Sequence, residues 1–189
     1  CAALAQRMEQ FAYGMDFRFL YDRVRRILSI GFRLADVDGP GRLDASYYDL
    51  LASEARLASF FAIAKGDIPQ EHWFQLGRAL VDVRAVPCLV SWSGSMFEYL
   101  MPLLVMPTYE RTLLDETYHA VVDRQIAYGR ERGVPWGVSE SGYSKTDAQL
   151  NYQYHAFGVP GLGFKRGLAD DVVIAPQTGA MALMVDPES

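Results

Sequence analysis

The sequence predicts an all-α fold with long irregular connections and one small β-hairpin. Two features predict it. Residues 112–131 place Leu114, Tyr118, Val121, Val122 and Ile126 on one helical stripe, with Glu116, Asp123, Arg124 and Arg130 off it. Residues 134–168, by contrast, are interrupted by glycine and proline and hold no sustained period. Loops of that length in a compact domain are usually functional.

The elements follow in order. Residues 2–14 have Leu4, Met8 and Phe11 at helical spacing, and Gly14 stops the pattern. Residues 17–35 alternate, so two short strands with a turn near Asp22–Arg25 are expected. Residues 36–41 read as a loop. Asp44 or Ser46 caps a helix over 46–65, which Gly66 ends, and Pro69 starts another over 69–79. Residues 80–92 are Val-rich and fit either strand or loop. Ser91–Gly94 form a turn, and Ser93 or Ser95 caps a helix over 95–106 that Pro102 kinks or shortens. Gly133 and Pro135 close the 112–131 helix. Residues 171–185 begin one more. No internal repeat stands out.

Composition narrows the function. The 189 residues suffice for one domain, 1–189, with a real core. Half are hydrophobic and 13% are aromatic, which excludes disorder. A net charge of −5 leaves no basic footprint for nucleic acid. Cys1 and Cys88 make no disulfide framework, which favours a reducing compartment, and Cys88 sits in an inert apolar run. His72, His119 and His155 are too scattered for a zinc site, so no metal is expected. The apolar run around Met96–Met106 is broken by Glu98 and Pro102, so no membrane span is expected. The chain opens at Cys1 and ends in Asp-Pro-Glu-Ser, which reads as a fragment of something longer.

Residues 136–167 carry the functional signal. Glu140 lies there among Trp136, Tyr143, Tyr152, Tyr154 and Phe157. Aromatic faces with polar handles suit the apolar C–H faces and hydroxyl rims of sugars. Trp136 and Tyr143 bracket Glu140 and are the expected sugar platforms. Trp92, at a loop-to-helix turn, is a third. Trp73 and Phe74 read as core.

Glu54 supplies a second carboxylate. On a helical wheel it falls in the stripe of Tyr47, Leu50, Leu51, Leu57, Ala58 and Phe61, with Arg56 on the opposite side. Burial there raises its pKa, as a general acid needs. The alternative role is ordering the core through a backbone N–H or an arginine. Glu140, flanked by Ser139 and Ser141, stays ionised and suits a nucleophile or base; its alternative is an exposed loop glutamate. Two carboxylates in unlike surroundings are the minimum for glycoside chemistry. Glu98 is the reserve candidate, in a structural or sugar-binding role. Other chemistries lack their motifs. No GxGxxG follows a strand. GVPGLGFKRG lacks the Lys-Ser/Thr ending of a phosphate loop, and no nucleophile elbow accompanies the serines.

These residues sit in long strings: residues 46–78, 89–109, 124–143 and 150–168. In that order they resemble the glucoamylase-like domain of bacterial cyclic β-1,2-glucan synthases, from about Met15 to Pro187. The resemblance implies an α/α toroid, of which this chain is roughly the N-terminal half. It implies a transglycosylase that cyclises linear β-1,2-glucan with net retention. Glu140 in WGVSES matches the nucleophile and Glu54 in ASEARL the acid/base. Trp92, Glu98, Trp136 and Tyr143 would line the glucan channel. No cofactor is implied. Crowding at a β-1,2 linkage lets Glu54 act through a sugar hydroxyl. The implied partners are the glucan chain and the glycosyltransferase and phosphorylase-like modules of the same polypeptide. The parent enzymes are inner-membrane proteins, and this soluble domain would lie on the cytoplasmic side. The rival readings are a β-glucan hydrolase and a non-catalytic glucan-binding scaffold.

Overall fold

The computed structural model describes residues 1–37 and 39–187. Asp38, in the expected loop at 36–41, and the terminal Glu188 and Ser189 lie outside the described residues. The chain divides into two compact units. One holds Cys1–Asp49 and Ala55–Gly77; the other holds Leu50–Glu54 and the chain from Arg78 onward.

The first unit opens with α1 (Ala2–Gly14), which buries none of its residues. Strands β1 (Tyr21–Asp22) and β2 (Ile27–Leu28) pair as the expected hairpin. Asp22 makes the turn by accepting the N–H groups of Val24 and Arg25 at 2.9 and 3.0 Å. Strands β3 (Phe32–Arg33) and β4 (Arg42–Leu43) form a second antiparallel pair. Two helices follow, α2 (Arg56–Ala64) and α3 (Glu71–Gln75). The core of this unit is Leu28, Ala62 and Ile68, with Phe17, Leu20, Tyr21 and Ile63 against it.

Both helices are shorter than expected. The helix placed over 46–65 starts only at Arg56. The residues before it use their backbone elsewhere: Tyr47 bridges Ser29, Ser46 accepts the Ile30 N–H, and Asp49 accepts the Gly77 N–H at 2.6 Å. A run with two tyrosines, an aspartate and a serine has little helix propensity to oppose that. Arg56, placed by the wheel opposite the apolar stripe, is nevertheless buried. The helix placed over 69–79 ends at Gln75, where Leu76 turns extended. Trp73 is partly buried as core, packing edge-on to Phe60, but Phe74 is exposed.

The second unit begins with β5 (Leu80–Val83) and β6 (Val86–Leu89), a hairpin whose turn residues Arg84 and Ala85 both have positive φ. That is the primed turn matching strand twist. It settles the ambiguous Val-rich run as strand. Helix α4 (Met96–Leu100) gives way to a 3₁₀ turn at Met101–Leu104, shortened as Pro102 dictates. Helix α5 (Leu113–Arg132) is capped by Thr112 and closed by Gly133 in the left-handed region. It packs on β6 and α4. Its Thr117 hydroxyl accepts the Leu89 N–H at 3.1 Å. Strands β7 (Ser141–Thr146) and β8 (Tyr152–His155) pair antiparallel, and α6 (Pro176–Ala182) packs on α4. Tyr99, Leu100, Val121, Val122, Val138, Val159 and Leu162 form the buried centre.

The expectation of an all-α fragment of a toroid is therefore overturned. Among the described residues, helices alternate with four two-stranded antiparallel sheets, a mixed α/β fold. Short apolar runs bounded by turn residues satisfy their backbone by pairing across a tight turn, not by continuing a helix.

Candidate active site

Three segments of the second unit build one cavity. The first is the serine-rich turn before α4. Ser95 caps that helix in a reciprocal capping box with Glu98. Glu98 does more than cap. It is almost fully buried, and its carboxylate accepts the Ser91 hydroxyl at 2.8 Å, the Ser93 hydroxyl at 2.5 Å and the Ser93 and Ser95 N–H groups at 3.1 Å. Three of the five residues from Ser91 to Ser95 thus hang on one carboxylate, and Trp92 is presented between two tethered serines. Charge-assisted hydrogen bonds of this kind are the strong ones.

The second segment is the glycine-rich run after β8. It lies alongside the serine turn. Ser91 donates its N–H to Leu162 at 3.0 Å, and its carbonyl accepts the Phe164 N–H at 3.2 Å. Val159 and Lys165 donate to Gly94 and Trp92 at 3.1 and 2.9 Å. The backbones touch because glycine lets them. A Cβ at Gly158 would sit 1.9 Å from the Ser93 carbonyl oxygen, and one at Gly163 would sit 2.5 Å from the Gly94 nitrogen. Phe164 is thereby set against Trp92, ring centroids 5.9 Å apart. The Lys165 ammonium reaches His155 Nε2 and the Ala156 carbonyl, both at 2.7 Å.

The third segment carries Glu140. Gln125 of α5 clamps Val138 from both sides: it accepts the Val138 N–H at 2.8 Å and donates to the Val138 carbonyl at 2.9 Å. The same carbonyl accepts the Met96 N–H, and Ser139 Oγ accepts the Phe97 N–H at 3.0 Å. Glu140 therefore emerges from an anchored backbone just ahead of β7. Preorganisation of this sort is what a catalytic carboxylate needs.

Glu54 comes from the turn preceding α2 in the chain, not from a helix interior. Its Oε2 accepts the Ser53 hydroxyl at 3.2 Å. Burial pushes its pKa up, and the nearby charges of Glu98 and Glu140 push the same way. The wheel gave the wrong local structure and the right environment.

Glu54, Trp92, Ser93, Glu98, Glu140, Ala156, Phe164 and Lys165 line one cavity of about 480 Å³. That lies in the roughly 300–1,000 Å³ range of small-ligand sites. Of the residues singled out from sequence, Glu54, Trp92, Glu98 and Glu140 meet there. Trp136 and Tyr143 do not border it. Trp136 backs onto Gly129 of α5, while Tyr143 packs edge-on to Phe157 at 5.1 Å. Gln125, Phe164 and Lys165 escaped the sequence reading. Gln125 left a trace there: it continues the buried Tyr118–Val121–Val122 stripe as a polar residue at an apolar position. Cys88 is fully buried and its thiol is pushed up to about 12, so it takes no part. Among the described residues, no helix is long and apolar enough to cross a membrane.

Three carboxylates, Glu54, Glu98 and Glu140, line one cavity beside the Trp92–Phe164 pair, a lining whose acids and aromatic faces suit a sugar. The family described as "Putative glucoamylase" matches residues 46–189, and the chain belongs to it. The chain is also 53% identical over 186 residues, 98% of its length, to the cyclic beta-(1,2)-glucan synthase NdvB of Rhizobium meliloti (strain 1021). It spans 6% of that relative's length.

Proposed function

We propose that this domain performs retaining transglycosylation, cyclising a linear β-1,2-glucan within a larger synthase. The observation that carries the reading is the shared cavity: Glu54 and Glu140 face one space, and burial raises the pKa of Glu54. The likeness to a cyclic glucan synthase supplies the substrate class.

The chemistry runs in two displacements. The Glu140 carboxylate attacks the anomeric carbon, and the bond from that carbon to the leaving glucan oxygen breaks. Glu54 gives its proton to that oxygen, directly or through a sugar hydroxyl beside the crowded linkage. The glucan's own non-reducing-end hydroxyl then attacks the glucosyl ester and yields its proton to Glu54. The ester bond to Glu140 breaks, a ring leaves, and both carboxyl groups return to their starting states. Two inversions give net retention. Trp92 and Phe164 offer apolar faces to a sugar ring, and Lys165 a hydrogen-bond donor to its hydroxyls. On this reading the glycosyltransferase and phosphorylase-like modules belong to the same polypeptide, which holds the domain at the cytoplasmic side of a bacterial inner membrane.

Glu54→Gln and Glu140→Gln in the full-length protein test the assignment. Each is expected to cut cyclisation of linear β-1,2-glucan by about 10³-fold or more, as loss of a catalytic group does. Normal ring formation by both variants would leave a glucan-binding scaffold as the better reading. Shorter reducing chains in place of rings from the unmodified protein would make it a hydrolase.

A further inference from the structure

Tyr154 shares a face of the β7–β8 hairpin with Glu140. Ser141 pairs with His155 and Gly142 with Tyr154. Continuing that register one step sets Glu140 opposite Ala156, and both of these line the cavity. Side chains alternate along a strand, so positions 140, 142, 154 and 156 point to one side. Tyr143, His155 and Phe157 take the other, and their mutual ring contacts agree. Glu140 and Tyr154 are then diagonal neighbours across the strands, within reach for a long aromatic side chain. The position between them is Gly142, where an added Cβ would meet only the Gln153 carbonyl oxygen at 3.9 Å. Nothing stands between the Tyr154 side chain and Glu140.

We infer that Tyr154 is a positioning residue for the reaction, donating a hydrogen bond that aims one Glu140 oxygen at the anomeric carbon. The inference rests on the reading of Glu140 as nucleophile. Partial desolvation first, and then the nearby Glu140 carboxyl, push the Tyr154 phenol up to about 12, so the hydroxyl keeps its proton and can donate throughout the working range. Tyr154 as a whole is exposed, so removing one oxygen leaves packing intact.

The test uses the full-length synthase and linear β-1,2-glucan. Tyr154→Phe is expected to lower kcat by about 10- to 100-fold with KM within about twofold, the worth of one hydrogen bond to a charged group realised in the reaction. A second background separates positioning from structure. Glu140→Ala removes the group that Tyr154 holds, and added azide then attacks the anomeric carbon in its place. In that azide-restored reaction Tyr154→Phe should change the rate by less than about twofold, because its partner is gone. An unchanged kcat for Tyr154→Phe overturns the inference alone, as does an equal loss in both backgrounds. Full cyclisation by Glu140→Ala without azide overturns the catalytic reading of Glu140, and the inference falls with it.

Discussion

Glu54 is held in a place that disfavours its own charge, and a stability measurement can read this without any substrate. Burial raises its folded-state pKa above the ordinary glutamate value, with Glu98 and Glu140 adding to the shift. The sign follows from proton linkage. A raised folded pKa means the folded state holds the proton more tightly than the unfolded chain. Its contribution to stability is whole below the unfolded value, about 4.3, and is lost as pH rises through the folded value. Glutamine cannot ionise, so Glu54→Gln escapes that loss. The variant should match the parent in urea midpoint near pH 3.5 and exceed it increasingly towards pH 8, while losing activity. A gap that stays constant with pH, or a parent more stable at pH 8, would show that the surroundings do not oppose the charge. Glu98, beside Glu54 in the cavity, accepts donors on both carboxylate oxygens and serves the serine turn.

The glycine-rich run after β8 shows how an element without regular structure is specified. Its glycines are not interchangeable. Gly158 and Gly163 lie against the backbone of Ser93 and Gly94, whereas Gly179 in α6 has open space where a Cβ would go. Gly158→Ala is therefore expected to destabilise by about 2–3 kcal/mol or more, since backbone cannot yield to the added methyl, and to disturb the Trp92–Phe164 pair. Gly179→Ala should stabilise by about 0.5–1 kcal/mol, the usual helical preference for alanine. Denaturant unfolding of both variants checks the pair, and equal effects would contradict the packing described here. Elements with sustained local signals were legible in the sequence. Helix α5 has a full stripe, a threonine cap and a closing glycine, and it lies where those place it. The capping box of α4 and its early end at Pro102 follow from local chemistry too. What escaped depended on distant partners. Tyr47 left the helical pattern because Ser29 takes its backbone, and the short strands form where two separated runs find each other. The site divides likewise. Glu54 and Glu140 stood out as carboxylates among apolar and aromatic residues. Lys165 and Phe164 reach the cavity only through the backbone pairing of two loops, which no periodicity announces.

At the scale of the whole molecule, the outcome of the proposed reaction turns on which acceptor meets the glucosyl–enzyme. Water and the glucan's own end hydroxyl compete for the same carbon. The hydroxyl belongs to the chain already attached, so its effective concentration is set by chain length and stiffness and not by how much glucan is in solution. The ratio of rings to hydrolysed linear chains should therefore stay level as glucan concentration rises, while transfer between chains increases with it. Water is held back by whatever covers the cavity, and Trp92 and Phe164 are its large apolar lining residues. Truncating Trp92 to alanine removes one ring of that pair and lets solvent closer to the ester. Whatever total turnover remains, the share of linear reducing chains should rise severalfold over the parent, read by mass because a ring is lighter than its linear counterpart by one water. If Trp92→Ala lowers turnover and leaves the ring share as it was, Trp92 binds sugar without guarding the intermediate, and water is excluded by some other part of the full-length protein.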